Sequence, residues 1–287
     1  MRFVSFRVSG ETGAGIITGS GVVDLRRRLG VRSLRELLER DLVAEAGRFT
    51  GEAADFPLDT LTLLPVIPDP AHFYCVGVNY AEHLNEVSDP HAPPYRAQHP
   101  SIFIRFPESI TGAGSALIVP RVSEQLDFEA ELAVVIGKGG RYIDQTEALS
   151  HVAGYTCCNE GSVRDWQVHT SQVSPGKNFF HSGALGPWMV SADEITEPGK
   201  LAITSRVNGR TMQSSNTAKM IFDIPAIVSY VSAMVPLLPG DVISTGTPQG
   251  VGYARQPPVF LQPGDVCEVE IEHIGILRNT VARETDA

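Results

Sequence analysis

Residues 1–8 (MRFVSFRV) alternate apolar and polar side chains closely enough to predict a strand, and 19–24 predicts a second. SLRELLERDL (33–42) has its leucines at helical spacing, with Ser33 as the N-cap and Glu36 completing a capping box. The proline-rich seam PVIPDP (65–70) then divides a small N-terminal α+β domain, residues 1–66, from a β-rich domain, 67–287. In the second domain HFYCVGV (72–78), SIFIRF (101–106), ELAVVIG (131–137), LAITSRVNG (201–209), DVISTG (241–246) and 265–281 read as strands rich in Val, Ile, Thr and aromatics. PGD precedes two of them, at 239–241 and 263–265, as turn chemistry. Helices are fewer: 79–86, 146–149, 161–167 and 224–232. Segment 87–100 (VSDPHAPPYRAQHP) holds four prolines and two histidines and few side chains able to pack, so it is expected to be a surface loop, with a lid as one possible use.

Composition narrows the function. The chain has 287 residues, 43% of them hydrophobic, as in a soluble globular protein. A formal charge of −10 speaks against nucleic acid or anionic lipid as partners, because phosphates need a basic surface. No stretch reaches the roughly 20 apolar residues of a membrane span, and the N-terminus lacks the apolar core of a signal peptide. The expected location is therefore the cytoplasm. Four cysteines without CxxC spacing argue for free, buried thiols and against a zinc site.

Candidate chemistry starts at DFEAELAVVI (127–136). On a strand, Asp127, Glu129 and Glu131 would share one face, with successive carboxylates about 7 Å apart. Such a ladder is either a solvated acidic edge or, where partly buried, a site whose repulsion a hard divalent cation relieves. Farther on, Asn159 and Glu160 sit where an apolar strand gives way to a helix, and Lys177 stands apart from other cations between glycine and aromatics.

GxNYxxHxxE (77–86), DFEAELAVVIGK (127–138), HVAGYTxxNExSVRDWQ (151–167), GKNF (176–179), GPW (186–188), VNGxxxQ (207–213) and GDVISTGTPQGVG (240–252) occur in this order. Together they resemble the fumarylacetoacetate hydrolase family, from about residue 70 to the C-terminus, most closely its bacterial members acting on small 2-oxo and 2,4-dioxo acids. The resemblance implies a mixed β-sandwich roll behind the small N-terminal domain, and a homodimer. It implies Glu129, Glu131 and Glu160 as ligands of Mg²⁺ or Mn²⁺, with Ca²⁺ also admissible. Glu160 replaces the aspartate of many members. His83 and Glu86 match a His–Glu pair, and Lys177 a lysine facing substrate oxygens. Gln167 and Thr247 match substrate-contacting positions, and Arg164 an arginine beside the metal. Val78 stands where some members carry a basic residue, and Arg105, also expected at the substrate, where many carry lysine.

The chemistry agrees with these assignments. Three carboxylates leave about three of six positions on a divalent ion open to substrate and water. At i and i+3 of a helix, Glu86 can orient His83 to activate water. The leading expectation is hydrolysis of a C–C bond in an acylpyruvate-type acid, with an enolate as leaving group. Decarboxylation of oxaloacetate, or isomerisation of a 2-oxo acid, on the same scaffold is the alternative. A member that has lost activity is a third.

Overall fold

The computed structural model describes residues 1–87 and 98–285. Most of the segment expected to form a lid, residues 88–97, lies outside the described residues. Two sheets face each other. The larger, of 12 strands, runs in the order Phe56–Pro57, Gly21–Asp24, Glu11–Thr18, Arg2–Val8, Gly183–Ser191, Val152–Asn159, Ala130–Ile136, Val242–Ser244, Phe73–Gly77 and Ser101–Ile104, with two short strands off this path. The smaller, of five strands, runs Arg210–Asn216, Ala202–Val207, Val266–Ile271, Gly275–Arg283 and Leu117–Val119.

The sequence pattern explains this layering. Ala130–Ile136 is buried at every position, because both faces of the large sheet are covered. Leu132, Val134 and Ile136 enter a core shared with Ile203, Val269 and Leu277 of the small sheet and with Val228 and Val231 of the helix Ile224–Met234. Ala133 and Val135 face the opposite way, onto Leu25, Leu34 and Leu37. That second core joins the leading residues to the rest of the molecule, and Arg2–Val8 pairs directly with Gly183–Ser191 (Arg2 opposite Val190). Strands from both sides of the seam at 65–70 belong to the larger sheet.

The helix expected at 33–42 spans Leu34–Glu39, with Ser33 Oγ accepting from Glu36 N at 3.1 Å. Glu36 reaches back one residue farther than in a standard box, to Arg32 N at 2.8 Å. The four cysteines are free and buried, and burial pushes the thiols of Cys157 and Cys267 up to about 12. Among the described residues no helix is long and apolar enough to cross a membrane.

Candidate metal centre

Three acidic side chains meet where two central strands end. Ala130–Ile136 pairs with Val152–Asn159 so that Ala130 lies opposite Asn159 and Glu131 opposite Cys158. Glu160 follows directly, and its backbone N–H donates to Glu129 O at 2.9 Å. This pairing of strands from separate parts of the sequence brings ligand oxygens of Glu129, Glu131 and Glu160 within 4.8 Å of one another, all buried. The ladder itself divides. Glu129 sits in the break between Leu126–Asp127 and Ala130–Ile136, and Asp127 has other partners.

Each carboxylate is held. Glu131 Oε2 accepts from Ser244 Oγ at 2.6 Å and from Gly246 N at 2.8 Å. Glu129 Oε1 accepts from Ser162 Oγ at 3.1 Å and pairs with Arg164 Nη2 at 2.6 Å, while Glu129 Oε2 accepts from Lys177 Nζ at 2.9 Å. Glu160 Oε1 accepts from Arg105 Nη1 at 2.6 Å, and its other oxygen accepts from Lys177.

With Asp127, four buried carboxylates therefore face three buried cations, Arg105, Arg164 and Lys177. Of these four, Glu131 is the one without an ion pair to a cation among the described residues. Burial, and then the nearby charges of Glu160 and Glu129, raise its carboxyl well above the usual carboxylate range. Burial also opposes ionisation of Glu129, but Lys177 and Arg164 outweigh it and hold that group well below the usual range. The Lys177 ammonium, itself opposed by burial, is held charged by Glu129 and Glu160. A convergent set of oxygens that lacks one positive charge fits a hard divalent cation.

Facing the cluster is His83, on the helix Ala81–Val87. Its Nδ1 lies 3.0 Å from Glu86 Oε2. The carboxylate can only accept there, so Nδ1 carries the proton and Nε2 keeps its lone pair. Glu86 Oε1 accepts from Gly250 N at 2.8 Å, which docks the helix onto the 246–252 loop. The chain enters this helix through Val78, whose φ of 53° is a strained setting for a β-branched residue. Asn79 holds that turn by donating to Phe222 O (2.9 Å) and Thr245 O (2.8 Å). A cavity of about 450 Å³ lies between these elements. Its polar end is formed by His83, the three glutamates, Lys177 and Arg164, and Val76, Val78, Phe103 and Val173 line its apolar wall.

The family described as fumarylacetoacetate (FAA) hydrolase C-terminal matches residues 72–282. The chain belongs to this fumarylacetoacetate hydrolase family of enzymes. It is 44% identical over 227 residues to the bovine (Bos taurus) mitochondrial oxaloacetate tautomerase FAHD2A, covering 78% of this chain and 71% of that protein. Among solved structures, the fumarylacetoacetate hydrolase of Exiguobacterium antarcticum aligns at 34% identity and TM-score 0.81, covering 99% of this chain and 100% of the other. A maleylpyruvate hydrolase from Sphingobium sp. SYK-6, in complex with manganese(II) and pyruvate, aligns at 25% identity and TM-score 0.82 with the same coverage.

Of the residues singled out by likeness to the family, His83, Lys177, Arg164, Gln167 and Thr247 line the cavity with the three glutamates. Glu86 stands behind His83. Arg105 is placed differently from the expectation: its buried guanidinium lies behind Glu160, donating also to Gly161 O (2.9 Å) and Ser182 Oγ (2.8 Å), and is not among the cavity-lining residues. Three supporting residues had drawn no specific role, although Asn159 was marked with Glu160 at the end of its strand. Asn159 Oδ1 accepts from Glu129 N at 3.0 Å, Ser244 holds Glu131, and Gln213 Nε2 donates to Thr247 Oγ1 at 2.8 Å. Gln213 closes the VNGxxxQ stretch and Asn159 precedes Glu160, so the family motifs contained both. Nothing local distinguished the roles of Ser244 and Gln213.

Proposed function

We propose that this enzyme interconverts the keto and enol forms of a small 2-oxo dicarboxylic acid, oxaloacetate being the leading candidate. The observation that carries the reading is a buried base, His83 backed by Glu86, facing the same cavity as the three glutamates and Lys177. A divalent cation held by Glu129, Glu131 and Glu160, Mg²⁺ or Mn²⁺ by the chemistry of these oxygens, would supply Lewis-acid polarisation of the 2-oxo group. The residues of the chain do the rest. His83 Nε2 takes the proton from the carbon beside the oxo group, and Glu86 stabilises the imidazolium so formed. The electron pair moves onto the oxo oxygen, where the Lys177 ammonium compensates the charge. A proton returned to that oxygen completes the enol, and reversal of the steps gives the ketone. The name of the bovine relative supports this choice over hydrolysis, its 44% identity exceeding the 34% to the Exiguobacterium fumarylacetoacetate hydrolase and the 25% to maleylpyruvate hydrolase.

Hydrolysis of an acylpyruvate is the second reading. It is favoured by a cavity of about 450 Å³ with an apolar wall, which has room for an acyl group and for a water that His83 could activate. One side-by-side assay separates the readings. Ultraviolet absorbance follows the enol–keto conversion of oxaloacetate, while released CO₂ and pyruvate are measured with oxaloacetate and with acetylpyruvate. Accelerated conversion without CO₂ and without cleavage of acetylpyruvate is expected. Pyruvate released from acetylpyruvate would favour the hydrolase, and CO₂ from oxaloacetate the decarboxylase.

A further inference from the structure

Asp127 is not among the residues that line the cavity of the site, yet it is fully buried and its two oxygens take four donors. Oδ1 accepts from Phe128 N at 2.7 Å and Gly252 N at 2.8 Å; Oδ2 accepts from Tyr253 N and Arg164 Nε, both at 2.8 Å. From this one carboxylate two arms lead to the site. In the first, Arg164 is fixed by its Nε so that its Nη2 meets Glu129 Oε1 at 2.6 Å. In the second, the Gly252–Tyr253 backbone is pinned, and two residues earlier Gly250 N donates to Glu86, which orients His83. No other residue fits at Gly250 without strain. Its φ is +99°, and a Cβ there would lie 2.5 Å from Met212 O.

We infer that Asp127 is a positioning residue that sets the distance between the base His83 and the cation-binding acid Glu129. The role in turnover rests on the proton-transfer reading above; the role at the cation cluster does not. A carboxylate that neutralises Arg164 lowers the repulsion an incoming dication meets at Glu129, so its loss weakens cation binding both by charge and by geometry. An amide cannot replace it, because its NH₂ would confront N–H donors.

The test is Asp127→Asn, with Mn²⁺ affinity measured by calorimetry without substrate and kcat measured on oxaloacetate. Glu86→Gln serves as the comparison that cuts only the second arm. Asp127→Asn is expected to weaken Mn²⁺ binding at least tenfold and to lower kcat at least tenfold. Glu86→Gln is expected to lower kcat with Mn²⁺ affinity within twofold of wild type. A folded Asp127→Asn protein with either quantity within twofold of wild type overturns the inference. Because Mn²⁺ binding needs no turnover, a loss of affinity stands even where oxaloacetate proves not to be the substrate. If Asp127→Asn does not fold, Tyr253→Pro deletes one N–H of the second arm, with Tyr253→Ala, which keeps that N–H, as the control for loss of the ring. Lowered kcat at unchanged Mn²⁺ affinity supports the role, and unchanged kcat overturns it.

Discussion

Glu129, Glu131 and Glu160 stand at the ends of strands covered on both faces, and each takes several bonds from the surrounding protein. His83 stands on a seven-residue helix, tied to the loop opposite by the bond from Gly250 to Glu86. Burying four carboxylates together is costly unless every charge is placed and compensated, so the acidic half is built into the sheet and surrounded by Arg105, Arg164 and Lys177. A base that must meet a substrate has no such requirement. It needs a fixed tautomer and a defined distance, which Glu86 and the docking loop provide.

That contrast can be broken most severely from the acidic side. Glu131→Gln removes the acid without a cationic partner and should abolish tight Mn²⁺ binding. Turnover should fall roughly 10³-fold or more, the scale of several kcal/mol of Lewis-acid stabilisation. Calorimetry and initial rates on one preparation check both. His83→Ala tests the other half. Turnover should fall by about 10²–10⁴-fold, the usual worth of a positioned base, with Mn²⁺ affinity nearly unchanged. Should His83→Ala also lose the cation, the two halves are not separable as described.

Arg105→Met sharpens the contrast through stability. Glu160 would keep Lys177 but lose its other cation inside a fully buried setting, at a cost of about 3–5 kcal/mol, readable as a shift in the denaturant midpoint. The smallest expected effect concerns pH. The Glu131 carboxyl of the cation-free protein is raised by burial and by Glu160 and Glu129, so the folded form binds its proton more tightly than the unfolded chain does. Its contribution is full below the ordinary carboxylate range and is lost as pH rises through the raised value. Glu129, held low against burial by Lys177 and Arg164, contributes in the opposite sense, losing stability only in strong acid. Across mildly acidic to neutral pH the cation-free protein should therefore lose thermal stability, and Mn²⁺ should restore it increasingly as pH rises, because cation and proton compete for Glu131. Melting curves with and without Mn²⁺ over that range are the measurement.

Much of this was legible in the residues. The unbroken apolar run after Glu131 announced a strand, which is buried on both faces, and the Ser33–Glu36 spacing announced its helix. The strand Glu11–Thr18 was hidden by its glycines. Those glycines are packing requirements, since a Cβ at Gly13 would lie 2.8 Å from the Phe6 ring and one at Gly15 2.2 Å from Val22. Arg210–Asn216 was hidden by its polarity, because its burial comes from a neighbouring strand and not from its own pattern. The continuity of residues 1–66 with the main sheet depends on pairing between Arg2 and Val190, a register that no local signal encodes. Arg105 was misplaced for a related reason: the IFIRF pattern looks the same whether the guanidinium points at a substrate or props a glutamate from behind. The ladder pattern likewise put Asp127 with Glu129 and Glu131, whereas the chain breaks step at Glu129 and turns Asp127 toward Arg164.

The most direct test of the convergence of three acids on one cation is a crystal of the protein grown with Mn²⁺, with anomalous data collected above and below the manganese edge. The account predicts a single manganese peak bounded by carboxylate oxygens of Glu129, Glu131 and Glu160, with His83 across the cavity. A map with no peak between those three side chains, under conditions where Mn²⁺ is in large excess, would contradict it.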